Sequence, residues 1–184
     1  MASMDYITSI ADGLIHKYQT RDPYEICGAL GVRIRLHDLG RHVKAYYICQ
    51  SRIRNIVLNT RVSDIARRIL AAHELGHDRL HQKIAMLRGF QEVELFDMAL
   101  PAEFEANIFA AELLIDDDEL LGMLNDEDKS FFGVARELYI PAELLDFKFR
   151  VLKHKGYRIE APLIAHGDFL KNDIGGCYDS EDYI

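Results

Sequence analysis

Cysteine is scarce in this chain of 184 residues. There are three, Cys27, Cys49 and Cys177, odd in number and far apart. That excludes a disulfide framework and a C-x-x-C metal knuckle, and it is the usage expected in a reducing cytoplasm. Positive charge is also short. A net charge of -8 at pH 7 argues against general affinity for nucleic acid or an anionic membrane. No apolar run approaches the roughly 18 residues of a membrane span. The opening Met1-Ala2-Ser3-Met4-Asp5-Tyr6 has no basic start and no apolar core, so no signal peptide is expected. Internal repeats and low-complexity tracts are missing too. What is present is ordinary for a soluble globular protein, 49% hydrophobic and 28% charged. The expectation is a cytoplasmic protein of one main domain, with enough chain for a proper core.

The hydrophobic period divides the chain. Tyr6, Ile7, Ile10, Ala11, Leu14, Ile15 and Tyr18 recur at helical spacing over about 4–19. Asp22-Pro23 caps and opens a short helix that Gly31 closes. Val32, Ile34 and Leu36 then alternate with charged residues, and 44–49 and 54–59 read as two further strands. A three-stranded meander is the economical arrangement. Ser63-Asp64 can cap a long helix over about 64–82. Residues 83–100 read as a connection at the rim of a cleft. Pro101 opens a second strong helix, and Asp116–Glu119 suits the start of a shorter one through Leu124. Two more helices are expected over 128–139 and 141–155, then one strand at Tyr157–Ile159 and a loose tail. The fold class expected is α+β, mostly helical, with a small three-stranded sheet ahead of the long helix. Residues 1–156 would form the main domain, with 128–156 a helical subregion, and 157–184 a partly irregular extension.

The long helix carries His73-Glu74-Leu75-Gly76-His77, an H-E-x-x-H pattern in apolar surroundings. Residues four apart leave one face of a helix, so His73 and His77 can grip a single ion. Glu74 is then placed to reach a water beside the ion rather than the ion itself. A catalytic zinc needs a third protein ligand. The helix from Pro101 offers Glu103 and Glu105. Glu103 shares its stripe with Ala106, Asn107, Ala110 and Leu114, and the small alanines would allow close approach to the histidine helix. Glu105 shares its stripe with Phe109 and Glu112. Glu103 is favoured and Glu105 is the alternative. His81 extends the histidine stripe, as a partner to a ligand or as a surface residue. Asp78 and Asp97 are candidate hydrogen-bond partners for a ligand imidazole.

These two stretches resemble a known family. His73-Glu74-Leu75-Gly76-His77-Asp78-Arg79-Leu80-His81, followed by Glu103-Phe104-Glu105-Ala106-Asn107-Ile108-Phe109-Ala110-Ala111-Glu112-Leu113-Leu114, is similar to the paired motifs H-E-L-G-H-x-x-x-H and E-x-x-A-N-x-F-A-x-x-L-L. They are the motifs of the ImmA/IrrE family of zinc metallopeptidases. The likeness extends over about residues 5–155 in the order of elements. It implies His73, His77 and Glu103 as metal ligands, Glu74 as the catalytic residue and Zn2+ as cofactor, with Mn2+ the alternative. It also implies a protein substrate, a helix-turn-helix transcriptional repressor whose cleavage derepresses genes. The rival reading is a metal-containing binding module that sequesters a regulator without cutting it. The chain departs from the family where Leu113-Leu114 continues as Ile115-Asp116 instead of Met-Pro, which bears on the end of that helix.

Other signals are weaker. Residues 129–155 have a helix-turn-helix outline, but the cations Lys148, Arg150, Lys153 and Lys155 gather at the C-terminal end, where they complement the helix dipole. Direct nucleic-acid binding and membrane association are therefore not expected. The strand region is locally basic, and a strand there could accept substrate as an added strand. Tyr46 and Tyr47 are candidates to line that edge. Cys177 raises a tail thiol reaching the metal, against the simpler reading of an uncommitted tail cysteine.

Overall fold

A computed structural model of the chain describes residues 2–82, 100–125, 130–159 and 162. Among these residues, seven helices and three strands give a mostly helical α+β architecture, as the hydrophobic periods predict. Helices α1 (Met4–Tyr18) and α2 (Pro23–Leu30) come first. Strands β1 (Arg33–His37), β2 (Ala45–Gln50) and β3 (Ile53–Asn59) follow. Then come α3 (Asp64–Leu80), α4 (Leu100–Leu114), α5 (Asp117–Leu124), α6 (Phe131–Glu137) and α7 (Ala142–His154). The expected connection over 83–99, with Asp97, and the tail with Cys177 lie outside the described residues.

The caps explain several boundaries. Ser63 accepts from the Ala66 amide at the start of α3. Asp22 does the same for Tyr24 at α2, whose first residue is Pro23. Asp116 accepts from the Asp118 and Glu119 amides at α5. Each satisfies donors that a helix start leaves unpaired. At the far end of α2, Gly31 takes φ 72, a left-handed closure that suits glycine.

The sheet is not a meander. Its order is β1-β3-β2, with β1 parallel and β2 antiparallel to β3. The reason lies in β3, where Ile56, Val57, Leu58 and Asn59 are all buried. The most apolar strand takes the centre, and the arginine-bearing β1 becomes an edge. The chain crosses from β1 to the far side of β3 through a loop held by Asn59, whose amide donates to Gly40 O (2.8 Å) and Val43 O (2.7 Å). A two-residue turn then joins β2 to β3, with Ser51 at φ 50 and Arg52 at φ 65. Both lie in the left-handed region, the geometry of a type I′ hairpin.

The expected strand at Tyr157–Ile159 is also absent, and those residues are irregular. The Tyr157 amide is spent on Leu152 O (3.0 Å), closing α7 together with Gly156 at φ 97. The segment therefore terminates a helix, and a strand would have needed a neighbour to pair with.

The core runs between these layers. α3 and α4 pack against each other more extensively than any other pair, and α1 and α7 cover other faces of α4. Ile69, Ala72, Leu75, Ile108, Phe109 and Leu113 are among the side chains at its centre. α4 is buried on nearly every side, so its apolar residues lack a one-sided stripe. A charged network ties it to α5 and α7. Lys148, fully buried, meets Glu112 at 2.6 Å and also pairs with Asp117. Lys155 adds contacts of 2.5 Å to Glu112 and 2.7 Å to Asp117. Arg150 pairs with Asp146 (2.9 Å) and lies against the Phe104 and Phe147 rings. These cations of the helix-turn-helix outline serve packing inside the chain.

Candidate metal centre

The site forms where α3 crosses α4. On α3, His73 and His77 leave one face, with Nε2 atoms 3.1 Å apart. Glu103, in the first turn of α4, brings Oε2 to 3.3 Å from His73 Nε2 and Oε1 to 3.5 Å from His77 Nε2. Ligand atoms from all three residues lie within 4.8 Å of one another. Two imidazole nitrogens and one carboxylate oxygen converge, a donor set that suits Zn2+ with a coordination position left for water.

Close helix contact makes this convergence available. A Cβ placed on Gly76 would lie 3.1 Å from Ala106 Cα and 3.2 Å from Phe109 Cδ1. Gly76 and Ala106 therefore let the two backbones approach, and Glu103, one turn before Ala106, reaches the histidines. The alanine stripe that favours Glu103 in the sequence acts here. Glu105 points elsewhere, its Oε2 lying 3.0 Å from His81 Nε2 and its Oε1 accepting from the Ala2 amide.

Electrostatics separate the two acids of the site. Burial pushes Glu103 up, but hydrogen bonds and charge from His73 and His77 outweigh it. Its carboxyl is held well below the usual carboxylate range. Glu74 behaves oppositely. Burial, reinforced by the charge of Glu103, raises it to about 7, although His77 and a hydrogen bond from the Tyr47 amide pull the other way. An acid with a pKa near neutrality can both take and return a proton at neutral pH. His81 is lowered, chiefly by burial, which favours its neutral form.

Each of the two converging imidazoles has a partner on its far nitrogen. His73 Nδ1 is 2.8 Å from Asn107 Oδ1 and donates there, while Nε2 faces Glu103 and His77. Asn107 is fully buried and lies one turn beyond Glu103 on the same face. In the sequence it is legible only as a member of the Glu103 stripe, through its i+4 spacing. His77 Nδ1 is 3.1 Å from His81 Nδ1, so His81 is a partner to His77 and not a surface residue.

Asp78 does not take the expected role. It is buried and bound by Arg54 Nη1 (3.1 and 3.3 Å), because α3 turns it toward the sheet, away from the ligand face. Tyr47, on the inner face of β2, has its phenol raised by burial and by the Asp78 carboxylate, while Tyr46 is exposed on the other face. Burial and Asp78 push the Cys27 thiol up to about 12, leaving it no nucleophilic character at neutral pH.

Comparison with known proteins fits this geometry. A sequence model of the IrrE N-terminal-like domain, Peptidase_M78, matches residues 27–150, a span containing His73, Glu74, His77 and Glu103. An uncharacterized immunity region protein 2 of Bacillus phage phi105 is 30% identical over 142 residues, covering 77% of this chain and 88% of the phage protein. No helix among the described residues is long and apolar enough to cross a membrane.

Proposed function

Because the chain belongs to the IrrE N-terminal-like peptidase family, we propose that it is a zinc-dependent metalloendopeptidase with His73, His77 and Glu103 as ligands and Glu74 as the catalytic residue. The observation that carries this reading is the convergence of the three donors, with the buried Glu74 carboxyl one residue from His73. When bound, zinc supplies Lewis acidity and lowers the pKa of a water to about 7.

The chain's own residues supply the rest. Asn107 fixes His73 with its lone pair toward the ion position. Glu74 takes a proton at its carboxylate from the attacking water and returns it to the leaving amine. The Tyr47 amide holds that carboxylate in place. β2 is hydrogen-bonded to β3 along one edge, and the Tyr47 amide of β2 hydrogen-bonds Glu74 of α3. An extended peptide added along β2 would pass beside Glu74.

The substrate we assign is a helix-turn-helix repressor, cleaved in the cytoplasm to derepress genes. Support comes from the likeness of the paired motifs and from a phage relative whose name places it in an immunity region. The test is co-expression with a small helix-turn-helix repressor encoded next to this chain. Wild type should remove the intact repressor, and Glu74→Gln should leave it intact while still retaining zinc. Clearance by Glu74→Gln would overturn the assigned chemistry. Zinc-loaded wild type that binds the repressor without cutting it would favour sequestration.

A further inference from the structure

We propose that Glu105 is a positioning residue of the metal centre, acting through His81 to set the tautomer and aim of His77. This rests on His77 being a ligand, as proposed above. As a ligand, His77 must hold its lone pair at Nε2, the atom that faces His73 Nε2 and Glu103, and carry its proton on Nδ1. The partner of that Nδ1 is His81 Nδ1, 3.1 Å away. Two nitrogens in such contact share one proton, and either ring can be the donor.

The choice is made at the far side of His81. Its Nε2 lies 3.0 Å from Glu105 Oε2. A carboxylate only accepts, so His81 donates from Nε2 and, as a neutral ring, offers a lone pair at Nδ1. His77 must then donate, and its Nε2 is freed for the ion. Glu105 is itself fixed: its side chain is buried and its other oxygen accepts from the Ala2 amide. The two ligand histidines thus use different devices. His73 is set directly by a neutral amide, and His77 by a carboxylate one imidazole away. Without Glu105, His81 can hold its proton on Nδ1, donate to His77, and leave the His77 proton aimed at the ion.

The test uses the full chain, zinc as the probe and two measurements. Competition with a chromophoric chelator gives zinc affinity for wild type, Glu105→Leu and Glu105→Gln. Glu105→Leu should weaken binding by about 10–100-fold, the range typical of lost ligand partners. Glu105→Gln should recover part of it, because its single side-chain oxygen can still accept from His81 at the expense of the Ala2 contact. Nitrogen-15 NMR of zinc-loaded wild type should show the His81 proton on Nε2 and the His77 proton on Nδ1. That reading needs no variant to fold. Unchanged zinc affinity in Glu105→Leu, or a His81 proton on Nδ1 in wild type, would overturn the relay and leave the ligand assignment standing. Wild type that binds no zinc would overturn both.

Discussion

Replacing Glu74 by Gln should stabilise the zinc-free protein, and more so at high pH. Burial raises the Glu74 carboxyl from 4.5 to about 7, so the folded state holds its proton more tightly than the unfolded chain does. For a raised acid, stability is intact below the unfolded value and falls as pH rises toward the folded one. At about 1.4 kcal/mol per pH unit, the interval corresponds to about 3 kcal/mol lost by pH 8. Gln fills the same space, keeps an acceptor for the Tyr47 amide and carries no charge. Urea unfolding of chelator-treated proteins at pH 5 and pH 8 measures the difference. The advantage of Glu74→Gln should grow by about 2 kcal/mol between the two. Added zinc should narrow it, because a cation nearby favours the ionised carboxylate. An advantage that stays flat or shrinks with pH would refute the reasoning.

Gly76→Ala sets a helix-propensity gain of about 1 kcal/mol against a contact of 3.1 Å with the Ala106 backbone. Overpacking costs of about 1–3 kcal/mol should win or break even, and zinc affinity by chelator competition should fall at least several-fold as Glu103 is displaced. Lys148→Ala leaves Glu112 buried with Lys155 alone, and urea unfolding should show a loss of about 3 kcal/mol. Ser51→Asn with Arg52→Gly supplies the residues a type I′ turn prefers, and should gain about 1 kcal/mol in the same assay without altering zinc affinity.

The parts of the site that share a helix were legible in the sequence. Four-residue spacing alone puts His73 and His77 on one face, and the alanines beside Glu103 announce a close helix contact before any coordinates. Local chemistry likewise marks Ser63, Asp22 and Asp116 as caps. What the sequence concealed depends on where separate elements meet. Asn107 lies on the right stripe, but only the crossing angle of α3 and α4 brings its oxygen to His73. Glu105 reaches His81 for the same reason, 24 residues away. Sheet order followed a competition for burial that alternation does not express, with β3 claiming the centre over β2. The Tyr157–Ile159 stretch has strand-forming residues, but closing α7 consumed the amide that pairing would have used.

The most direct test of the metal centre is anomalous diffraction at the zinc absorption edge from crystals of the zinc-loaded full chain. One peak between α3 and α4, bound by Nε2 of His73, Nε2 of His77 and a Glu103 oxygen, with Glu74 close by and unbound, is the expected result. A peak held by Glu105 or His81, or none at that crossing, would contradict it.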